Sequence, residues 1–176
     1  LSLRPETTED KDTTVAENAL NASTSGSNNT SIGTNSLDPN TTGATNTSIG
    51  KDSLGANTTG SQNTGLGHNA LESNTTASDN TAVGKNALRV NTTGTGLTAV
   101  GKGALDANTT GSYNEAIGID ALTAVTTGSS NIAIGRGAAG ALTTQNTNVS
   151  ICCLLYPSNA AAATLRFDSR LPPPHN

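Results

Sequence analysis

The sequence has no Trp and no Met, and aromatic residues make up only 2% of its 176 residues. Hydrophobic residues amount to 32%, against about 45–50% in an average globular domain. Large aliphatic residues are therefore too sparse for a conventional core. Disorder usually comes with a high net charge, and here the net charge is only −4. Composition alone leaves two candidates: a disordered chain, or a regular fold that needs little core per residue.

Other shortages exclude whole classes of protein. Nine Lys and Arg stand against 13 Asp and Glu, without a basic run, which argues against nucleic-acid binding. No apolar run reaches the roughly 18–20 residues of a membrane span, so no membrane insertion is expected. The two cysteines, Cys152 and Cys153, are adjacent and form no disulfide framework. The start lacks Met and any signal-like apolar stretch, which is typical of a fragment or a processed chain.

Catalytic and metal-binding patterns are equally scarce. His68 and His175 are single histidines in polar surroundings, and no Ser-His-Asp set has positional support. The "GTG" at 94–96 lacks the strand, the helix and the Lys-Ser/Thr of a phosphate loop. We expect no enzyme activity, no catalytic residue, no cofactor and no metal site.

A 17-residue repeat dominates the chain. The motif "NTT" begins at Asn40, Asn57, Asn74, Asn91 and Asn108, and the register extends without insertion to nine units over residues 6–158. Residues 1–5 form a lead-in, and residues 159–176 form a tail or cap outside the repeat. A period of 17 is too short for helical-pair repeats, which need about 33 or more. It suits one coil of an all-β parallel β-solenoid. The units recur in constant phase, which is not expected of a disordered chain.

Residues at equivalent positions of successive units form columns. "NTAVG" alternates like a strand, and because Val83 is large and apolar it is predicted to point inward while Ala82 points outward. Gly84 is predicted to end the strand at a turn, and "NTTG" to form a second short strand. Thr81 shares the face of Val83, so its column is also predicted to point inward. Glu115 is the misfit in this column, because a buried unpaired carboxylate is costly. Two columns are predicted to fill the core: Val15, Ile32, Ile49, Leu66, Val83, Val100, Ile117, Ile134, Ile151, and Leu20, Leu37, Leu54, Leu71, Leu88, Leu105, Leu122, Ala139, Tyr156.

One rung buries only about two large side chains, so neighbouring rungs, and identical chains as well, are expected to supply the remaining stability. Small residues facing outward would leave a groove-like strip where chains pack about a threefold axis. The predicted trimer-contact strip consists of Ser31, Ser48, Gly65, Ala82, Ala99, Ala116 and Ala133.

The Thr columns allow a second interpretation. Adjacent strand residues face opposite ways, so one of the two Thr files of "NTT" must point outward. A stacked outward Thr face resembles the ice-binding face of several antifreeze proteins, although those usually present T-x-T and this repeat has Asn two positions away. The candidate ligand face consists of Thr41, Thr58, Thr75, Thr92, Thr109, Thr126 and Thr143.

The units "NTAVGKNAL", "NTSIGTNSL", "NTGLGHNAL" and "NEAIGIDAL", joined by "NTTG", resemble the 17-residue repeats of phage and bacterial tail fibre domain-containing proteins. They are also similar in style to the head repeats of trimeric autotransporter adhesins. The resemblance covers residues 6–158 and implies a left-handed β-roll in a homotrimer. It implies an extracellular, virion-surface or cell-surface fibre shaft or adhesin, with a surface glycan or receptor as a possible partner. It carries over no catalytic residue.

Overall fold

The computed structural model describes residues 12–152, and the described chain is an all-β parallel solenoid. One sheet holds nine three-residue strands in chain order, each paired in parallel with the next at an offset of 17 residues. The predicted all-β parallel solenoid of 17-residue coils is therefore confirmed. The strands are β1 (Thr13–Val15), β2 (Thr30–Ile32), β3 (Thr47–Ile49), β4 (Thr64–Leu66), β5 (Thr81–Val83), β6 (Thr98–Val100), β7 (Glu115–Ile117), β8 (Ile132–Ile134) and β9 (Val149–Ile151).

Some sequence-based predictions fall outside this range. The lead-in at 1–5, the start of the first unit, the end of the ninth unit and the tail at 159–176 lie beyond the described residues. Within residues 12–152 the chain contains no α-helix, and so no helix that could cross a membrane.

Strands β2 to β8 end at the predicted glycine turn, and Ala16 and Cys152 stand at the equivalent positions after β1 and β9. Gly84 has φ of +132°, and a Cβ placed on it would lie 2.7 Å from the carbonyl carbon and oxygen of Gly101 in the next coil. A side chain there would meet both a strained backbone and the neighbouring coil. Glycine at this position thus lets the coils stack at strand spacing.

The prediction of a second strand at "NTTG" is wrong. The segment forms bends, although its backbone still bonds to the next coil: the N–H of Thr58 donates to the carbonyl of Thr75 at 2.8 Å. Asn74 is the cause, because its side-chain amide donates to the carbonyl of Ala77, three residues on, at 3.0 Å. This contact closes a turn and curves the chain away from an extended path.

One large side chain per coil fills the interior, as predicted for the Leu column. The members in successive coils have no exposed surface, whereas Ala139 is half-buried and Tyr156 lies outside the described residues. The fully buried members are Leu20, Leu37, Leu54, Leu71, Leu88, Leu105 and Leu122.

The predicted orientation of the strands is wrong. Ala82 and Ala99 are fully buried, whereas Val100 is 36% exposed. The reason is space: a Cβ placed on Gly65 would lie 2.5 Å from the Ser53 hydroxyl and 3.5 Å from Leu54 Cγ. The opposite wall and the Leu file already fill the slot, so the inward strand position admits only a small residue and the large aliphatic residue must point out.

Two files of buried asparagines line the rest of the interior. In the first, each amide nitrogen donates to the side-chain oxygen of the Asn one coil earlier, as from Asn74 to Asn57 at 2.9 Å. In the second, each side-chain oxygen accepts the backbone N–H of the next member, as Asn63 accepts from Asn80 at 3.1 Å. The members of the first file are Asn40, Asn57, Asn74, Asn91 and Asn108, and those of the second are Asn29, Asn46, Asn63, Asn80, Asn114, Asn131 and Asn148.

Apolar residues replace asparagine at three of these positions. Leu97 interrupts the second file, and the first file ends at Val125, which Leu142 follows one coil on. Because Val125 has no amide, the side-chain oxygen of Asn108 is buried without a hydrogen-bond partner in the described residues. The five first-file asparagines begin glycosylation sequons, but all are completely buried, so their amides serve the stack.

We expect Asn74→Val to lower the free energy of unfolding by about 2–5 kcal/mol, because it leaves the buried side-chain oxygen of Asn57 and one of the two amide N–H groups of Asn91 without a partner, at roughly 1–3 kcal/mol each. The reverse exchange, Val125→Asn, gives Asn108 a donor and moves the unpaired oxygen to residue 125. Its effect should stay within about 1 kcal/mol. Urea denaturation of both variants measures the difference, and equal costs would contradict the ladder.

We expect Ala99→Val to destabilise the chain by about 1–3 kcal/mol, because the added methyl groups have no room inside the coil. Val100→Ala, one residue on and facing out, should cost less than about 1 kcal/mol. Thermal unfolding followed by circular dichroism at micromolar concentration compares the two. A larger cost for Val100→Ala would restore the original assignment of faces.

Candidate interaction surface

The outward side of the nine strands forms one continuous surface, here called the outer sheet face. It carries two files of side chains, separated by the buried small residue of each strand. The aliphatic file consists of Val15, Ile32, Ile49, Leu66, Val83, Val100, Ile117, Ile134 and Ile151. The outer Thr file consists of Thr13, Thr30, Thr47, Thr64, Thr81 and Thr98, and continues as Glu115, Ile132 and Val149.

The aliphatic file is unusual in its exposure. Six of its nine members are 36–44% exposed, and Val15, Ile49 and Val83 are half-buried. Constant register places successive members one strand apart, so the file extends for about 38 Å at roughly 4.8 Å per strand. Scattered surface aliphatics are normal, but a contiguous apolar surface of this length is typical of an interaction site.

The predicted trimer-contact strip does not lie on the surface. Its members, from Ser31 to Ala133, are completely buried and face the Leu file inside their own chain. Ser31 donates its hydroxyl to the carbonyl of Ser36 at 2.7 Å, across the coil interior. These residues therefore cannot touch a second chain, and that assignment is wrong for the packing reason given above.

The predicted Thr ligand face is also misplaced. Six of its seven members, Thr41 to Thr126, are half-buried, and their hydroxyls donate to carbonyls one coil further on, as from Thr92 to Thr109 at 3.0 Å. Only Thr143 is exposed. The exposed file of "NTT" is the second one: Thr42, Thr59, Thr76, Thr93, Thr110, Thr127 and Thr144.

Two signals in the sequence could have identified the outer sheet face. Glu115 stands in the Thr column that was assigned to the interior, and it is exposed. Small residues also change in matched pairs: Ser48 faces Ser53 in one coil, and Ala82 stands with Ala87 in another. Such pairing is expected of residues that contact each other across a narrow interior.

Charge is nearly absent from the outer sheet face, where Glu115 is the one charged residue among the nine described strands. An ion pair lies at a neighbouring corner, where Lys51 Nζ and Asp52 Oδ2 are 2.8 Å apart. Hydrogen bonds from Lys51 and then Asn35 lower the pKa of Asp52, and the bond to Asp52 raises the pKa of Lys51.

A shallow groove of about 490 Å³ beside this pair is lined by polar and acidic residues, among them Asp38, Asp52 and Glu72. Within residues 12–152 no group of three or more His, Cys, Asp or Glu side chains is placed to hold a metal ion.

No family model, curated protein or solved structure matches the chain. Functional assignment thus depends on the geometry of the coils and of the outer sheet face.

Proposed function

We propose that this chain is a non-enzymatic structural or adhesive fibre segment that self-associates as a homotrimer. The observation that carries the proposal is the aliphatic file, which runs along all nine described strands on one side of the solenoid. The resemblance to tail fibre and adhesin repeats supports a location outside the cell, on a virion or a cell surface, as part of this proposal.

Burial of the aliphatic file supplies the driving force for association. Removing apolar surface from water contributes about 25 cal/mol per Å². The side chains advance by one strand per coil, so another copy in the same register meets aliphatic with aliphatic along the whole length. The neighbouring outer Thr file adds hydroxyl and methyl groups without introducing charge. A surface of this composition is best matched by the same surface of an identical chain.

Three copies satisfy this constraint in a closed arrangement. When three outer sheet faces point at a common axis, all three aliphatic files leave the solvent and the assembly has no free face. The fibre repeats that this sequence resembles are trimeric, which favours three copies over two. The contact surface in this proposal is the aliphatic file, and no longer the buried small residues.

We expect light scattering to give a mass of three chains at about 100 µM protein. The double variant Val83→Lys/Val100→Lys should be a folded monomer, because it places charges within the apolar contact, where burial is costly. The matched control, Thr76→Lys/Thr93→Lys, adds the same charge to the exposed Thr file of nearby coils and should remain trimeric. A monomeric wild-type chain at this concentration would refute self-association.

The outer sheet face also favours a second candidate function, ice binding. Thr81 and Val83 project from one strand as a T-x-V pair, and Thr30 and Ile32 as a T-x-I pair. The repeat in adjacent coils gives a regular array of hydroxyl and methyl groups without internal ion pairs. The array presents two parallel files of side chains at the spacing of T-x-T, which the "NTT" segment does not provide.

If the face binds ice, we expect thermal hysteresis and faceted ice crystals at millimolar protein or below. Thr81→Lys/Thr98→Lys should abolish both effects, because long charged side chains disrupt the array, whereas Thr76→Lys/Thr93→Lys should preserve them. Nanolitre osmometry measures the hysteresis. Wild-type protein without any hysteresis would eliminate this candidate and leave the fibre proposal intact.

A further inference from the structure

Positive charge is concentrated at one corner of the solenoid. Within residues 12–152 the chain has five Lys and Arg residues and one His, and all except Arg89 occupy the same position of the 17-residue unit. This position directly follows the glycine that ends each strand, so it borders the outer sheet face. The cation file consists of Lys51, His68, Lys85, Lys102 and Arg136, with Ile119 between the last two.

The spacing of the cation file is held by the backbone. The N–H of Asn86 donates to the carbonyl of His68 at 3.0 Å, and the N–H of Gly103 donates to that of Lys85 at 3.0 Å. The same contact recurs one coil on, from Asp120 to Lys102 at 2.9 Å. Lys51, His68, Lys85 and Lys102 are therefore one coil, or about 4.8 Å, apart along the solenoid axis, and Arg136 follows two coils after Lys102.

The members of the file after His68 make no ion pair within the described residues. Lys85, Lys102 and Arg136 are exposed and make no ion pair with any described residue, whereas Lys51 is paired with Asp52. The nearby Arg89 is paired with Asp106 at 2.9 Å, so this carboxylate already has a cationic partner outside the cation file. Like charges held one coil apart repel each other, and an anion that bridges them relieves the repulsion.

We propose that the cation file binds a linear acidic polysaccharide, whose carboxylate or sulfate groups lie along the solenoid axis and contact successive coils. An extended sugar chain with an anionic group on most sugars repeats its charge at a distance close to the coil spacing. The file belongs to the single chain and borders the outer sheet face, so binding does not depend on self-association.

Nucleic acid fits the file less well. Duplex phosphates repeat about every 3.4 Å on each strand, which drifts out of step with a 4.8 Å file within a few coils. Single strands are usually held by bases stacked on aromatic side chains. Residues 12–152 contain one aromatic side chain, Tyr113, which is insufficient for such a platform.

Isothermal titration of the full chain with alginate and with dextran sulfate, in about 50 mM NaCl, tests the proposal. We expect saturable binding to at least one of the two, no binding to neutral dextran, and at least threefold weaker binding for Lys85→Gln. Arg89→Gln removes the same charge from the adjacent corner and should change affinity by less than about twofold. Light scattering of the same samples reports self-association independently.

Three outcomes would overturn the proposal. The first is failure of both polysaccharides to bind to wild-type protein. The second is equal weakening by Lys85→Gln and Arg89→Gln, which would indicate attraction to overall charge. The third is tighter binding of a 20-base-pair DNA duplex than of either polysaccharide, which would assign the file to nucleic acid. Circular dichroism of each variant establishes that the coils are folded.

Discussion

Everything in this fold depends on hydrogen bonding between coils in constant register. Each strand pairs with the residue 17 positions on, and the turns and bends continue the same contacts. A three-residue strand has too little surface to be stable alone, and its stability comes from the neighbours above and below. The constant offset is also what converts a weak sequence repeat into continuous files of identical chemistry.

The narrow interior is the second constraint, and it determines which residues face out. One Leu, one pair of small residues and two asparagines fill each typical coil, as with Leu88, Ala82, Ala87, Asn80 and Asn91. The asparagines satisfy buried backbone groups at turns and bind each other between coils, so the interior combines packing with a hydrogen-bonded stack. Once these positions are filled, a large aliphatic residue on the strand can only lie outside.

This exclusion explains why the outer sheet face is apolar. Exposed aliphatics contribute little to an isolated coil, and their repetition in nine strands is the reason for proposing that this face makes a contact. An identical chain and an ice surface are both regular enough to match a repeating face. The cation file beside it has the same coil spacing but a different chemistry, so one solenoid offers two separate surfaces.

The sequence by itself determined the period, the parallel stacking, the Gly turns and the Leu file, because each follows from residue type at a constant spacing. It did not determine which strand side faces in: a period of two separates Ala82 from Val83 without saying which is inside. Tertiary structure decided that, because only the width of the coil shows that Leu88 leaves no space for Val83. The same packing buried the predicted contact strip, engaged the Thr41 file in hydrogen bonds and created the outer sheet face.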